Sequence, residues 1–93
     1  MAHDYHRTVM PSVFSEADGE WIQTMLSELG PAARGKIATR YAEVYQMAWD
    51  SEPVSFKQEN KARHEANTRL REFVRKYSAA SSGLTAKPKL VGG

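Results

Sequence analysis

The sequence predicts an all-α protein: a small three-helix bundle with a long basic third helix and flexible termini. Three observations carry this. Apolar residues recur at helical spacing in three separate runs. Gly30-Pro31 and Pro53 punctuate those runs, and such residues stop helices. No stretch alternates apolar and polar residues, and no Asn-Gly or Asp-Gly turn joins two alternating runs into a hairpin.

The first helix is expected to open at Ser15, with Asp18 three residues on. Ser15 is placed to accept from a free N–H of the first turn, and Glu16, Asp18 and Glu20 suit the positive end of the helix dipole. Trp21, Ile22, Met25, Leu26 and Leu29 then form one stripe. At Gly30 a left-handed C′ position is expected, and Pro31 suits the first turn of the next helix. In that second helix Ile37, Tyr41, Val44, Tyr45 and Ala48 share a face. Ala38, Ala42, Met47 and Trp49 widen it, so the helix has apolar surface for neighbours on two sides, ending around Asp50 to Pro53.

The third helix follows Pro53, with Ser55 and Gln58 reading as a capping box. Ala62, Ala66, Leu70, Phe73, Val74 and Tyr77 make its buried stripe, and Phe56 extends that stripe by a turn. From Ser55 to about Ser78 it would span roughly 35 Å, long for so small a domain. The expected core is Trp21, Ile22, Met25, Leu26, Ile37, Tyr41, Val44, Tyr45, Leu70, Phe73, Val74 and Tyr77. The domain thus covers residues 15–78. Residues 1–14 form an N-terminal arm from which Val9, Met10, Val13 and Phe14 are available to dock. Residues 79–93 form a C-terminal tail, small, polar and expected to be disordered.

Ninety-three residues make one domain at most. No apolar run is long enough to span a membrane, and the polar opening from Met1 to Arg7 does not read as a secretory signal. A cytoplasmic protein is expected. There is no cysteine, hence no disulfide, thiolate nucleophile or cysteine zinc site. The net charge of +2 conceals a polarised chain. Residues 1–50 carry four bases and seven acids, and residues 51–93 carry nine bases and four acids. That asymmetry suggests an oriented contact with another macromolecule.

The bases of the third helix explain where. Glu59–Arg63, Glu65–Arg69 and Glu72–Lys76 stand in the favourable i, i+4 order and read as self-neutralising pairs. Lys57, Lys61, Arg71 and Arg75 are left over, and with His64 and Thr68 they form one continuous stripe. A net-positive ridge suits an acidic protein surface or phosphates, and equally a plain solvated face. Trp49, off the main stripe of the second helix, is a candidate interface anchor if exposed beside Met47. The candidate partner-binding set is therefore Lys57, Lys61, His64, Arg71, Arg75 and Trp49.

Other constellations point to less. His3 and His6 are two ligands at most, too few to close a metal site. His64 has neither an orienting acid nor a cleft for general-base work. Asn60 and Asn67 border the apolar stripe, where a polar residue can set helix register, and an exposed edge is the simpler expectation. No nucleotide loop, nucleophile elbow or paired-carboxylate cleft occurs, so neither enzymatic activity nor a cofactor is expected.

The stretch YAEVYQMAWDSEPVSFKQENKARHEANTRLREFV, Tyr41 to Val74, resembles the small helical accessory proteins of enterobacterial temperate phages. The resemblance is concentrated in NKARHEANTRLREFV and covers about a third of the chain. It implies a protein that inhibits or redirects host machinery of replication, recombination, transcription or defence. Together these readings favour a non-catalytic module that binds a host protein or complex acting on nucleic acid. The alternatives are a direct DNA- or RNA-binding protein using the ridge, and a structural helical homodimer joined through the apolar surplus of the second helix.

Overall fold

The computed structural model describes residues 9–92, with side chains through residue 80. A single 3-10 turn, Glu16–Asp18, leads into α1 (Gly19–Ser27), α2 (Pro31–Ser51) and α3 (Ser55–Gly92). No strand occurs among the described residues. The small all-α bundle is as the sequence predicts.

α2 and α3 make the main interface, and the short α1 lies against both. Their seam is lined with small residues: Ala38 and Ala48 of α2 are buried, and Ala62 and Ala66 of α3 have no exposed surface. Small side chains let two helix backbones approach closely. Larger groups fill the space beneath α1, where Ile22 and Leu26 meet Tyr41, Leu70 and Val74 in one apolar cluster. Full burial of a Leu or Ile side chain contributes about 1.5–3 kcal/mol.

The second apolar side of α2 also finds a neighbour. Met10, Val13 and Phe14 pack against the core. The segment Val9 to Ser12 shares a shallow hollow with Gly35, Ala38, Thr39 and Ala42. The expected docking of the arm is met by Met10, Val13 and Phe14, while Val9 stays 51% exposed.

Several local expectations are corrected. Ser15 caps nothing with its side chain, and α1 starts later, at Gly19. Gly30 is not left-handed but extended, at φ −66° and ψ 161°, as the N-cap of α2, with Pro31 in the first turn. Glycine here allows a close approach: an added Cβ would lie 2.9 Å from the Tyr77 hydroxyl, the tip of an exposed side chain, which would have to shift. The Ser55–Gln58 capping box does not form. Gln58 instead donates to the Trp49 carbonyl at the end of α2, at 3.1 Å. Phe56 does not extend the stripe; it is 81% exposed, because the helix turns it away before α2 can cover it. Of the expected core, Trp21, Met25, Ile37 and Phe73 are only partly buried. Tyr77 is exposed, its hydroxyl accepting from the Gly30 N–H at 3.1 Å.

The helix read as ending at Ser78 carries its backbone on to Gly92, through the segment expected to be a disordered tail. Ser78, Ala79 and Ala80 are exposed helical residues. Ala79 and Ala80 are strong helix formers and continue α3 past Tyr77, whereas Gly83 and Pro88 farther along are poor ones. At 1.5 Å per residue a helix of 38 residues matches the 57 Å long axis of the molecule.

Candidate interaction surfaces on the third helix

Two i, i+4 rows flank α3, and they fare differently. The first row is Glu59, Arg63, Asn67 and Arg71. Glu59 Oε2 accepts from the Ser15 hydroxyl at 2.7 Å. Arg63 does not pair with Glu59 as the sequence suggested. It reaches Asp18, with Nε on Oδ2 at 2.8 Å and Nη2 on Oδ1 at 3.0 Å. Such two-pronged contacts are among the stronger hydrogen bonds because the fork matches the carboxylate. Asn67 donates to Asp18 Oδ2 at 3.0 Å and accepts from the Tyr41 hydroxyl at 2.5 Å. The Arg71 guanidinium lies over the Trp21 ring, 5.2 Å from its centroid.

This network ties the turn before α1 to both long helices. The electrostatics follow from the contacts. The Arg63 hydrogen bond, helped by Asn67, holds the Asp18 carboxyl below the usual carboxylate range, against partial burial. The same pair raises the Arg63 guanidinium. Burial first, and the Asp18 charge second, push the Tyr41 hydroxyl well up, so it acts as a neutral donor. Tyr45 is raised by burial and then by Glu59.

The second row is Lys61, Glu65 and Arg69. None of the three makes a hydrogen bond or ion pair among the described residues, and the expected Glu65–Arg69 pair is not closed. Ion pairs between described side chains include Arg63–Asp18 and the exposed Arg40–Glu43, at 3.0 Å. Lys61, Glu65 and Arg69 line a groove of about 320 Å³ between α2 and α3, with Arg40, Val44, Met47 and Ala48.

The predicted ridge lies on the side of α3 away from the core. Lys57, His64, Arg71 and Arg75 are exposed, and Lys61 and Thr68 are half-buried. The structure does not keep them as one independent line. Lys61 belongs to the α2 groove, and Thr68, Arg71 and Arg75 border a hollow against α1 with Met25. Arg71, read as a free base, is engaged by Trp21.

Trp49 lies elsewhere. Its ring stacks on Tyr45 at 6.1 Å, which in turn stacks on Tyr41 at 6.2 Å. It packs against the core and lines a different groove with Val13, Phe14 and Glu59. It is therefore not joined to the ridge, nor exposed alongside Met47. Met47, treated only as a companion of Trp49, is the exposed one, at 66%. Asn67, for which an exposed edge is the simpler expectation from sequence, is the hub of the network, because Asp18 and Tyr41 come from other parts of the chain. Asn60 is exposed.

No group of three or more His, Cys, Asp or Glu is placed to hold a metal among the described residues, and His3 and His6 lie outside them. No described helix is long and apolar enough to cross a membrane. The chain matches no family model, no curated protein and no solved structure.

Proposed function

We propose that this chain is a non-catalytic protein-binding module of the cytoplasm, and that it binds through the basic side of α3. Its partner is an acidic surface of a protein or complex that acts on nucleic acid. The observation that supports this reading is the unequal engagement of charge on α3. Glu59, Arg63, Asn67 and Arg71 are held internally, whereas Lys57, Lys61, Arg69, Arg75 and Lys76 make no ion pair among the described residues, against two unpaired acids, Glu65 and Glu72. A net excess of free cations on one side is a steering surface for a negative partner. The resemblance of Tyr41 to Val74 to phage accessory proteins agrees with a host protein as the target.

The test is capture from a nuclease-treated bacterial lysate, wild type beside Lys57→Glu/Lys61→Glu/Arg75→Glu. Arg71 is left in place because it holds Trp21, and circular dichroism confirms that the variant keeps its helices. A stoichiometric protein that survives nuclease and is lost in the variant is the expected result. No protein partner, with nucleic acid captured only when nuclease is omitted, would overturn it in favour of direct phosphate binding. In that case affinity falls with salt at a log–log slope of about −0.9 per duplex phosphate contacted. The homodimer reading has less support, since Ala42 and Trp49, much of the α2 surplus, lie along residues of the chain's own N-terminal segment.

A further inference from the structure

The groove beside Lys61 has a chemistry of its own. Its floor is apolar: Met47 and Ala48 come from α2, and Met47 stands 66% exposed. Its rim carries Arg40, Lys61 and Arg69 against one acid, Glu65. Arg40 is shared with Glu43 at 3.0 Å, but Lys61 and Arg69 have no counter-charge among the described residues. A partner need break no internal pair to engage them. An unbranched thioether between two helices adapts to apolar groups of varied shape.

We propose that this groove is the docking site for an acidic amphipathic helix of a partner protein. The helix would lay its apolar face over Met47 and Ala48 and present carboxylates to Lys61 and Arg69. The inference rests on the protein-binding reading above and narrows it from the whole ridge to one groove. Two features favour such a helix over a nucleic-acid backbone. A phosphate chain has no use for an apolar floor, and Glu65, set between Lys61 and Arg69 in the row, repels a uniformly charged polyanion. A helix of mixed surface satisfies both, in the manner of helix-in-groove recognition.

The experiment labels the methionine methyls of the full chain with carbon-13. The probe is a synthetic helical peptide of ~15 residues, leucines on one face and glutamates beside them, with a DNA duplex of ~20 base pairs in parallel. Met47 reports the groove, Met25 the hollow against α1, and Met10 the N-terminal segment. The expected result is a saturable shift of the Met47 methyl on adding peptide, with Met25 and Met10 unmoved. Met47→Ser and Lys61→Glu/Arg69→Glu should each weaken the peptide by about tenfold or more. Lys57→Glu/Arg75→Glu should weaken it by less than about threefold. All three sets change exposed or half-buried side chains outside the core, and circular dichroism checks that each variant keeps its helices.

A peptide that binds equally well to Met47→Ser overturns the proposal. If Lys57→Glu/Arg75→Glu then abolishes binding, the groove is wrong while the ridge reading stands. If the peptide shifts neither Met47 nor Met25, and neither charge-reversal pair changes its binding, both fail. Duplex binding that is tighter than the peptide's, indifferent to Met47 and lost with Lys61 and Arg69, assigns the groove to phosphate and overturns the protein partner.

Discussion

The two flanks of α3 are built from the same kinds of residue and end in opposite states. Glu59, Arg63, Asn67 and Arg71 each meet a side chain from another part of the chain: Ser15, Asp18, Asp18 with Tyr41, and Trp21. Lys61, Glu65 and Arg69, on the other flank, meet none among the described residues. Nothing in their spacing separates the rows, because both place acids and bases four apart. The difference comes from what lies opposite. α1 and the turn before it supply a carboxylate and a ring to one flank, whereas α2 offers the other flank apolar side chains and the already shared Arg40. A polar partner converts a charged row into a structural joint, and an apolar neighbour leaves it available.

The contrast is sharpened most by Asp18→Ala. It strands a two-pronged guanidinium and an amide at once, and should destabilise the fold by about 1–3 kcal/mol. In a domain of this size that lowers Tm by several degrees, at about 4–8 °C per kcal/mol, measurable by thermal melting. A melt unchanged within about 1 °C would mean the joint is decorative.

Next in size is the acid limb of the stability curve. The carboxyl of Asp18 is lowered in the folded state, so its contribution is complete above the ordinary carboxylate range, around pH 4. It is lost as pH falls through the folded value. Urea melts between roughly pH 2 and 6 should therefore show wild type losing its advantage over Asp18→Asn in that window. Parallel curves would refute the assignment.

Tyr41→Phe should have a smaller effect. It removes the donor to Asn67 while keeping the buried ring, for about 0.5–1.5 kcal/mol. Smallest of all are Lys61→Ser and Arg69→Ser. With no internal partner to lose, each should stay within about 0.5 kcal/mol of wild type by chemical denaturation. A loss comparable to that of Asp18→Ala would show that the second row is structural after all.

Much of this fold is legible in the sequence, because burial follows periodicity. Ile22, Leu26, Tyr41, Val44, Leu70 and Val74 all lie where their spacing puts them. The connections are legible too, since Pro31 and Pro53 can play few parts. The joints are not. Ser15 and Asp18 carry a helix-start pattern, yet their side chains turn toward α3, where a charged or hydrogen-bonding partner outcompetes a local cap. Gln58 likewise serves the end of α2 instead of its own helix start. Phe56 begins the third helix but is turned to solvent, 81% exposed. The ridge is correct as a face of α3, but its division between two grooves and the occupation of Arg71 depend on where α1 lies. Trp49 is partly covered because Val13 and Phe14 line its groove, and the N-terminal segment that supplies them has no periodic signal.

The joint at Asp18 also has a kinetic meaning. α2 and α3 are joined by a short connection and can meet early in folding, as a local hairpin. Ser15 to Glu59 and Asp18 to Asn67 close loops of 44 and 49 residues. Contacts of that separation form only after the intervening chain has been ordered. The clasp around Asp18 is thus expected to be absent from the rate-limiting step, and to act as a latch on the finished molecule. Substituting Asp18 should leave the refolding rate nearly unchanged and speed unfolding. The lifetime of the folded state, more than the ease of reaching it, would then be set by one carboxylate near the beginning of the chain.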